Sequence, residues 1–259
     1  VTGVQTCALP IYGTLVAQWT GFALSIALLL TYYSRLAKYS DGLLRLFNRC
    51  KGMLGNYFAV NRDIFLRTVC IVGVNLFFTA AGARQGEVIL SANTILMTFF
   101  TLFSYVMDGF AFAGEALAGK YYGASNKSTL VSVCDRLFVW GWGVSACFTV
   151  AYLLGGHALV CLLTDEEVAR SAAMGYILWA VAVPFAGMAA FVYDGIYVGI
   201  TASRQMLSSS VVATALFFAV YISLFPYIGN HALWLALILY LAARGIVQKF
   251  LFHRIISAV

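Results

Sequence analysis

The chain is a succession of long apolar runs separated by short polar turns. Seven runs can be drawn, at 13–33, 64–83, 88–119, 129–155, 170–199, 206–226 and 231–252. At a rise of about 1.5 Å per residue, each is long enough for a hydrocarbon core about 30 Å thick. The runs at 88–119 and 170–199 exceed a perpendicular crossing, so tilt or protrusion is expected. The chain holds three prolines in 259 residues and lacks the ten-residue alternating segments of an outer-membrane barrel. The pattern predicts an all-α polytopic membrane protein of about seven transmembrane helices.

Composition points the same way. Hydrophobic residues make up 62% of the chain and charged ones 10%, with a mean hydropathy of +0.89. Soluble domains run at about 45–50% apolar and about 25% charged. A soluble fold of this size has too little interior for so many apolar side chains, which makes the lipid bilayer the expected partner.

The net charge of +6 reads as the excess of Lys and Arg on cytoplasmic loops, not as an affinity for nucleic acid. Arg35, Lys38, Arg45, Arg49, Lys51 and Arg62 precede the second run. Lys120, Lys127, Arg204, Lys249 and Arg254 fall on the same side. The opposite loops hold Arg84 with Glu87, then Asp165, Glu166 and Glu167, then the nearly neutral PYIGNH. This asymmetry puts the C-terminus in the cytoplasm. The six cysteines stand singly, without a CxxC pair or a nearby His, so neither a disulfide framework, a zinc site nor a cofactor is expected.

Three segments need separate treatment. Residues 1–11, VTGVQTCALPI, resemble a translated sequencing adapter and are set aside as an artefact. The segment 34–63 is the one long connector. It reads as a linker with an interfacial turn at Leu43, Leu44, Leu46 and Phe47. Thr164 and Glu167 have the spacing of a capping box at the start of the fifth run.

Four ionisable side chains fall inside the runs, where each costs about 2.5–3.5 kcal/mol on insertion scales. They are Asp108, Glu115, Asp194 and Arg244. Asp108 and Glu115 are seven apart, hence about 20° apart around a helix. They belong to a stripe, Thr101, Ser104, Asp108, Ala111, Glu115 and Gly119, that is small or polar. Such a stripe faces protein or a water-filled cavity. Asp108 is twelve residues, or roughly 18 Å, from Lys120, and is the deepest acid. Asp194 follows Pro184 and Gly187, where a kink would free backbone carbonyls. Arg244 lies at a similar depth, so it either pairs with Asp194 or snorkels to the headgroups. A carboxyl group held away from water favours its neutral form and can take up a proton from one side and release it on the other. Proton and sodium both remain open as coupling ions.

Five ordered blocks resemble the MATE (multidrug and toxic compound extrusion) family, especially its DinF-like branch: NRDIFLRT at 61–68, FFTAAGARQGEVILSAN at 77–93, YVMDGFAFAGEALAGKYYGA at 105–124, DGIYVGITASRQMLSSS at 194–210 and GNHALWLALILYLAARG at 229–245. The resemblance implies that 12–33 is helix six, the last of a truncated N-lobe. It makes 34–63 a cytoplasmic inter-lobe linker and 64–259 the six-helix C-lobe, with helices one to five missing. It implies a transporter, not an enzyme, of the bacterial inner membrane. Such a protein exports small amphipathic, cationic substrates in exchange for protons or sodium by alternating access. Asp194 matches the helix-ten acid tied to cation coupling in some branches. Asp108 and Glu115 fall in the helix-eight block, and Ser104, Tyr193 and Tyr197 are placed on the substrate cavity. Run 64–83 lacks the embedded carboxylate of some sodium-coupled members, which weakens a sodium reading. Without the N-lobe acid the chain alone is expected to transport nothing.

Other membrane functions fit less well. A lipid-linked oligosaccharide flippase would line its cavity with cations, whereas the deep charges counted here are mostly acidic. Tyr193-Asp194 is half of an intramembrane aspartyl protease signature, but the GxGD half is absent. A retinal protein needs a mid-membrane Lys in the last run, and Lys249 sits at its end.

Overall fold

A computed structural model describes residues 16, 18–28, 31, 32 and 40–258. The adapter-like residues 1–11 lie outside them. Of the first apolar run, the described residues are helical, and the chain divides into two units at Phe58/Ala59. Among the described residues six helices follow: α1 (Ser40–Ala83), α2 (Glu87–Gly123), α3 (Lys127–Leu163), α4 (Glu167–Gly199), α5 (Ser203–Ile228) and α6 (Asn230–Ala258). Each carries a stretch long and apolar enough to span a bilayer, the first at Tyr57–Ala83. The backbone of 40–63, expected to be a linker with one turn, is helical and runs into the first of these spans.

Within the unit 59–259, α4 is central and packs against α2, α3, α5 and α6. Its apolar residues run all round, facing neighbouring helices on one side and an open apolar exterior at Leu178 and Phe185 on the other. The contact with α2 is made by small residues. A Cβ on Gly195 would stand 2.0 Å from the Ala111 carbonyl oxygen, and one on Gly199 2.3 Å from that of Glu115. Only hydrogen on those two α carbons allows the backbones to meet, the small-residue packing that replaces the hydrophobic drive inside a bilayer. The lower half of the polar stripe, Ala111 to Gly119, is therefore a helix–helix seam. Aromatic rings close other gaps: Phe77 of α1 lies 4.9 Å from Phe218 and 5.0 Å from Tyr221 on α5. Phe78 lies 5.1 Å from Trp234 on α6.

The exterior is apolar. Leu154 is 80% exposed, and Trp140, Phe112 and Leu178 are nearly as open. A surface of this kind exceeds the isolated patches of soluble proteins and is suited to lipid.

One local expectation is corrected. The Thr164/Glu167 capping box does not form, because α4 starts at Glu167 and the Thr164 hydroxyl accepts from the Glu166 N–H at 3.2 Å. The Thr164 carbonyl instead takes the Arg170 guanidinium at 2.9 Å. Pro184 leaves α4 continuous, although it has no N–H to offer the Ala180 carbonyl.

Candidate functional site

Asp194 projects from the middle of the C-terminal half of α4 into a cluster of basic and amide groups. Arg67 of α1 and Arg244 of α6 both donate to its Oδ2. Gln248, one turn beyond Arg244, donates from Nε2 to Oδ1 at 2.7 Å. The i, i+4 spacing puts Arg244 and Gln248 on one face of α6, so that one carboxylate receives both. Of the two readings left open for Arg244, pairing is the one observed.

The cluster lies away from bulk water. The side chains of Asp194, Arg67 and Arg244 are 14%, 17% and 6% exposed, and Gln248 is buried. Two tyrosines brace α6 around this cluster. Tyr197 Oη donates to the Gln248 carbonyl oxygen at 2.8 Å, and the Arg244 guanidinium stands 5.5 Å from the centre of the Tyr240 ring. Arg67 Nε, Arg244 Nε, Gln248 Oε1 and Tyr240 Oη are buried without a partner. The cluster thus has more donors than its single carboxylate can satisfy.

Asp108 of α2 is half-buried and near enough to Asp194 for the two carboxylates to repel. It precedes Ala111 by three residues, so both acids flank the crossing where Gly195 meets α2. The other expected site residues lie apart. Glu115 is exposed. Ser104 spends its hydroxyl on the Thr101 carbonyl at 2.9 Å. Tyr197 is completely buried, which removes it from any cavity wall in this conformation. Tyr193 packs 4.7 Å from Phe138 and lines a different hollow, between α3, α4 and α6.

Arg67 and Gln248 were not anticipated. Starting the first span of this unit at 64 puts Arg67 at the membrane surface. The apolar span extends back to Tyr57, and Arg67 lies ten residues inside it. Asp63, one turn earlier, is also buried. It accepts from Arg62 at 3.0 Å and from the Ser203 hydroxyl at 3.4 Å.

Among the described residues no group of three or more metal-binding side chains gathers. Cys70, Cys134, Cys147 and Cys161 are free thiols. Cys161 does have a His neighbour, contrary to the sequence reading. His157, one helical turn earlier, places Nδ1 3.8 Å from its sulfur.

Comparison with known proteins identifies the family and the fold. The chain is 37% identical over 204 residues to DNA damage-inducible protein F of Escherichia coli, covering 79% of the chain and 44% of that protein. It is 26% identical over 184 residues to Protein DETOXIFICATION 43 of Arabidopsis thaliana, covering 71% of the chain and 35% of that protein. The chain thus spans less than half the length of these relatives. In fold it matches an inward-facing multidrug resistance MATE family transporter of the MOP superfamily, with a TM-score of 0.60 and 18% identity. That match covers 80% of the chain and 49% of the solved one. The MatE family model matches residues 64–223, well over half the chain, and the protein belongs to the MatE family of membrane transporters.

Proposed function

We propose that residues 59–259 form one lobe of an exporter of small amphipathic compounds, driven by proton or sodium antiport through alternating access. Asp194 is the group that answers to the ion. The observation that carries this reading is a single carboxylate joining three helices, α1 through Arg67, α4 through its own backbone and α6 through Arg244 and Gln248. A proton or sodium ion on Asp194 competes with the guanidiniums for the same oxygens. Once it binds, two buried cations face each other without a counter-charge, and α1 and α6 gain a reason to move away from α4. Ion binding is thereby converted into helix displacement, the two-state element that alternating access needs. Asp108 supplies a second carboxylate at the same crossing.

The charge count revises the cargo argument. With Arg67 included, the deep charges are Asp108, Asp194, Arg67 and Arg244, which balance. A preference for cationic cargo then rests on Asp108 and Glu115, the two acids of α2 that no arginine binds among the described side chains. The basic loop ends favour a cytoplasmic C-terminus in a bacterial inner membrane.

The test is efflux of a fluorescent cationic dye from cells expressing a chimera in which residues 59–259 replace the matching part of the Escherichia coli relative. Efflux is expected to stop when the ion gradient is collapsed and to be lost in Asp194→Asn. Unimpaired export by Asp194→Asn removes the carboxylate from the mechanism. The chain expressed alone is expected to give no efflux, and export by it would overturn the two-lobe requirement.

A further inference from the structure

A groove runs down the face made by α3, α4 and α6, and none of Arg67, Asp194, Arg244 or Gln248 lines it. Two adjoining hollows of about 830 Å³ and 770 Å³ compose it, sharing Asp135, Phe138, Tyr193, Ile246 and Lys249. Its floor is made of Ala186 and Ala189 on α4 and Ala242 and Gly245 on α6. Gly245 matters here, because a Cβ at that position would stand 2.9 Å from the Ala189 Cβ and 3.2 Å from the Ala190 nitrogen. The two helices therefore meet closely and no side chain rises between them. The walls are bulky: Trp142 of α3 stacks 4.9 Å from Phe185 of α4, and Ile246 stands opposite on α6. Phe185 and Ile246 are 65% and 56% exposed.

One end of the groove is polar. Lys249, His253 and Arg254 of α6 gather there with Asp135 of α3. Counting Lys249 and Arg254 against Asp135, that end carries +1. From Ile238 to Arg254 is sixteen residues, about 24 Å along α6. One leaflet of hydrocarbon is about 15 Å deep, so the groove spans a leaflet and reaches the headgroup layer beyond it. An apolar trough one leaflet deep, ending in a cationic pocket at the basic side of the protein, has the form and the charge of a phospholipid site.

We infer that this groove binds a glycerophospholipid with a net negative headgroup. Its phosphate is held by Lys249 and Arg254, and one acyl chain lies over Ala186, Ala189, Ala242 and Gly245. The site is distinct from the ion-responsive cluster and sits on the face of α4 and α6 that the cluster does not use. A lipid seated there bridges α3 and α6 across α4, the helix that carries Asp194.

The test is native mass spectrometry of the detergent-purified chain titrated with phosphatidylglycerol, phosphatidylethanolamine and phosphatidylcholine of equal chain length. Phosphatidylglycerol is expected to be retained about tenfold more strongly than phosphatidylcholine, the selectivity that two headgroup cations supply. Lys249→Gln with Arg254→Gln, both exposed positions, should erase that preference. Ala242→Phe, which fills the floor, should lower retention of every lipid. Lys120→Gln with Lys127→Gln, basic positions outside the groove, should change nothing. Equal retention of phosphatidylcholine, stronger retention of phosphatidylethanolamine, or full binding by the Ala242→Phe chain would overturn the proposal. So would an effect of Lys120→Gln with Lys127→Gln as large as that of the groove variants.

Discussion

Two buried polar clusters tie the helices of this unit together, and they are built on opposite principles. Toward the turn between α5 and α6, Asn93 and Asn230 exchange a reciprocal pair of amide hydrogen bonds, each 2.9 Å long. Trp234 Nε1 adds a third bond to Asn93 Oδ1 at 2.9 Å. Every amide atom there has a partner, and no member is charged. The Asp194 cluster lies fourteen residues farther along α6 from Asn230, at Arg244, or about 21 Å by helical rise. It is charged, and several of its buried donors and acceptors are unmatched. A closed neutral ring offers an incoming cation nothing. A carboxylate shared by two guanidiniums is a contested site, and an ion can change its bonding. Helix α6 is thus fastened to α2 by a closed neutral ring at one end and to α1 and α4 by a charged cluster farther along, the one proposed to answer to the ion.

The largest expected effect comes from Asp194→Asn. Removing the carboxylate that both arginines bind strands two buried guanidiniums, a change that costs about 3–5 kcal/mol when one partner of a buried pair is lost. Thermal unfolding of the detergent-purified chain should show a correspondingly lower midpoint. Replacing Arg67, Asp194 and Arg244 together by Met, Leu and Met should recover most of that loss, because no buried charge is then left unpaired. If the single variant is as stable as the parent, the arginines are solvated and the latch does not exist.

Asn93→Leu should cost less, about 1–3 kcal/mol, because it orphans the Asn230 amide and the Trp234 N–H but no charge. Its distinguishing property is functional. In the chimera it should lower the melting temperature while leaving ion-driven efflux intact. If it abolished coupling as thoroughly as Asp194→Asn, the division into a fixed and a responsive end would fail.

The sequence made one of these clusters half legible and hid the other. The spans were readable because apolar length survives any packing arrangement, and the structure moves their ends outward by a few residues. Asp194 and Arg244 stood out because charge inside an apolar run is expensive and therefore conspicuous. Arg67 escaped because its visibility depended on where the span was drawn to begin. Gln248, Asn93 and Asn230 escaped for a different reason. Neutral amides are cheap enough near a helix end to pass for loop chemistry, and only the fold brings residues 137 positions apart into contact. The small residues of α2 were seen, but whether they face protein or a cavity stayed open. A stripe of Ala and Gly serves a cavity or a close helix crossing equally well, and only the approach of Gly195 and Gly199 distinguishes them.

The smallest expected effect tests whether Tyr240 belongs to the charged cluster at all. Its ring lies under the Arg244 guanidinium, while its hydroxyl is buried without a partner. Tyr240→Phe keeps the ring, and with it the attraction of the cation for the π face, worth about 0.5–2 kcal/mol depending on how dry the pair is. It removes a buried hydroxyl that makes no bond in the folded chain, so stability should change by less than about 0.5 kcal/mol. Tyr240→Leu, which removes the ring, should be clearly worse than Tyr240→Phe. A large loss in Tyr240→Phe would mean that the hydroxyl takes a hydrogen bond in another conformation of the transporter. The responsive end would then extend along α6 to Tyr240, toward the neutral amide ring at Asn230.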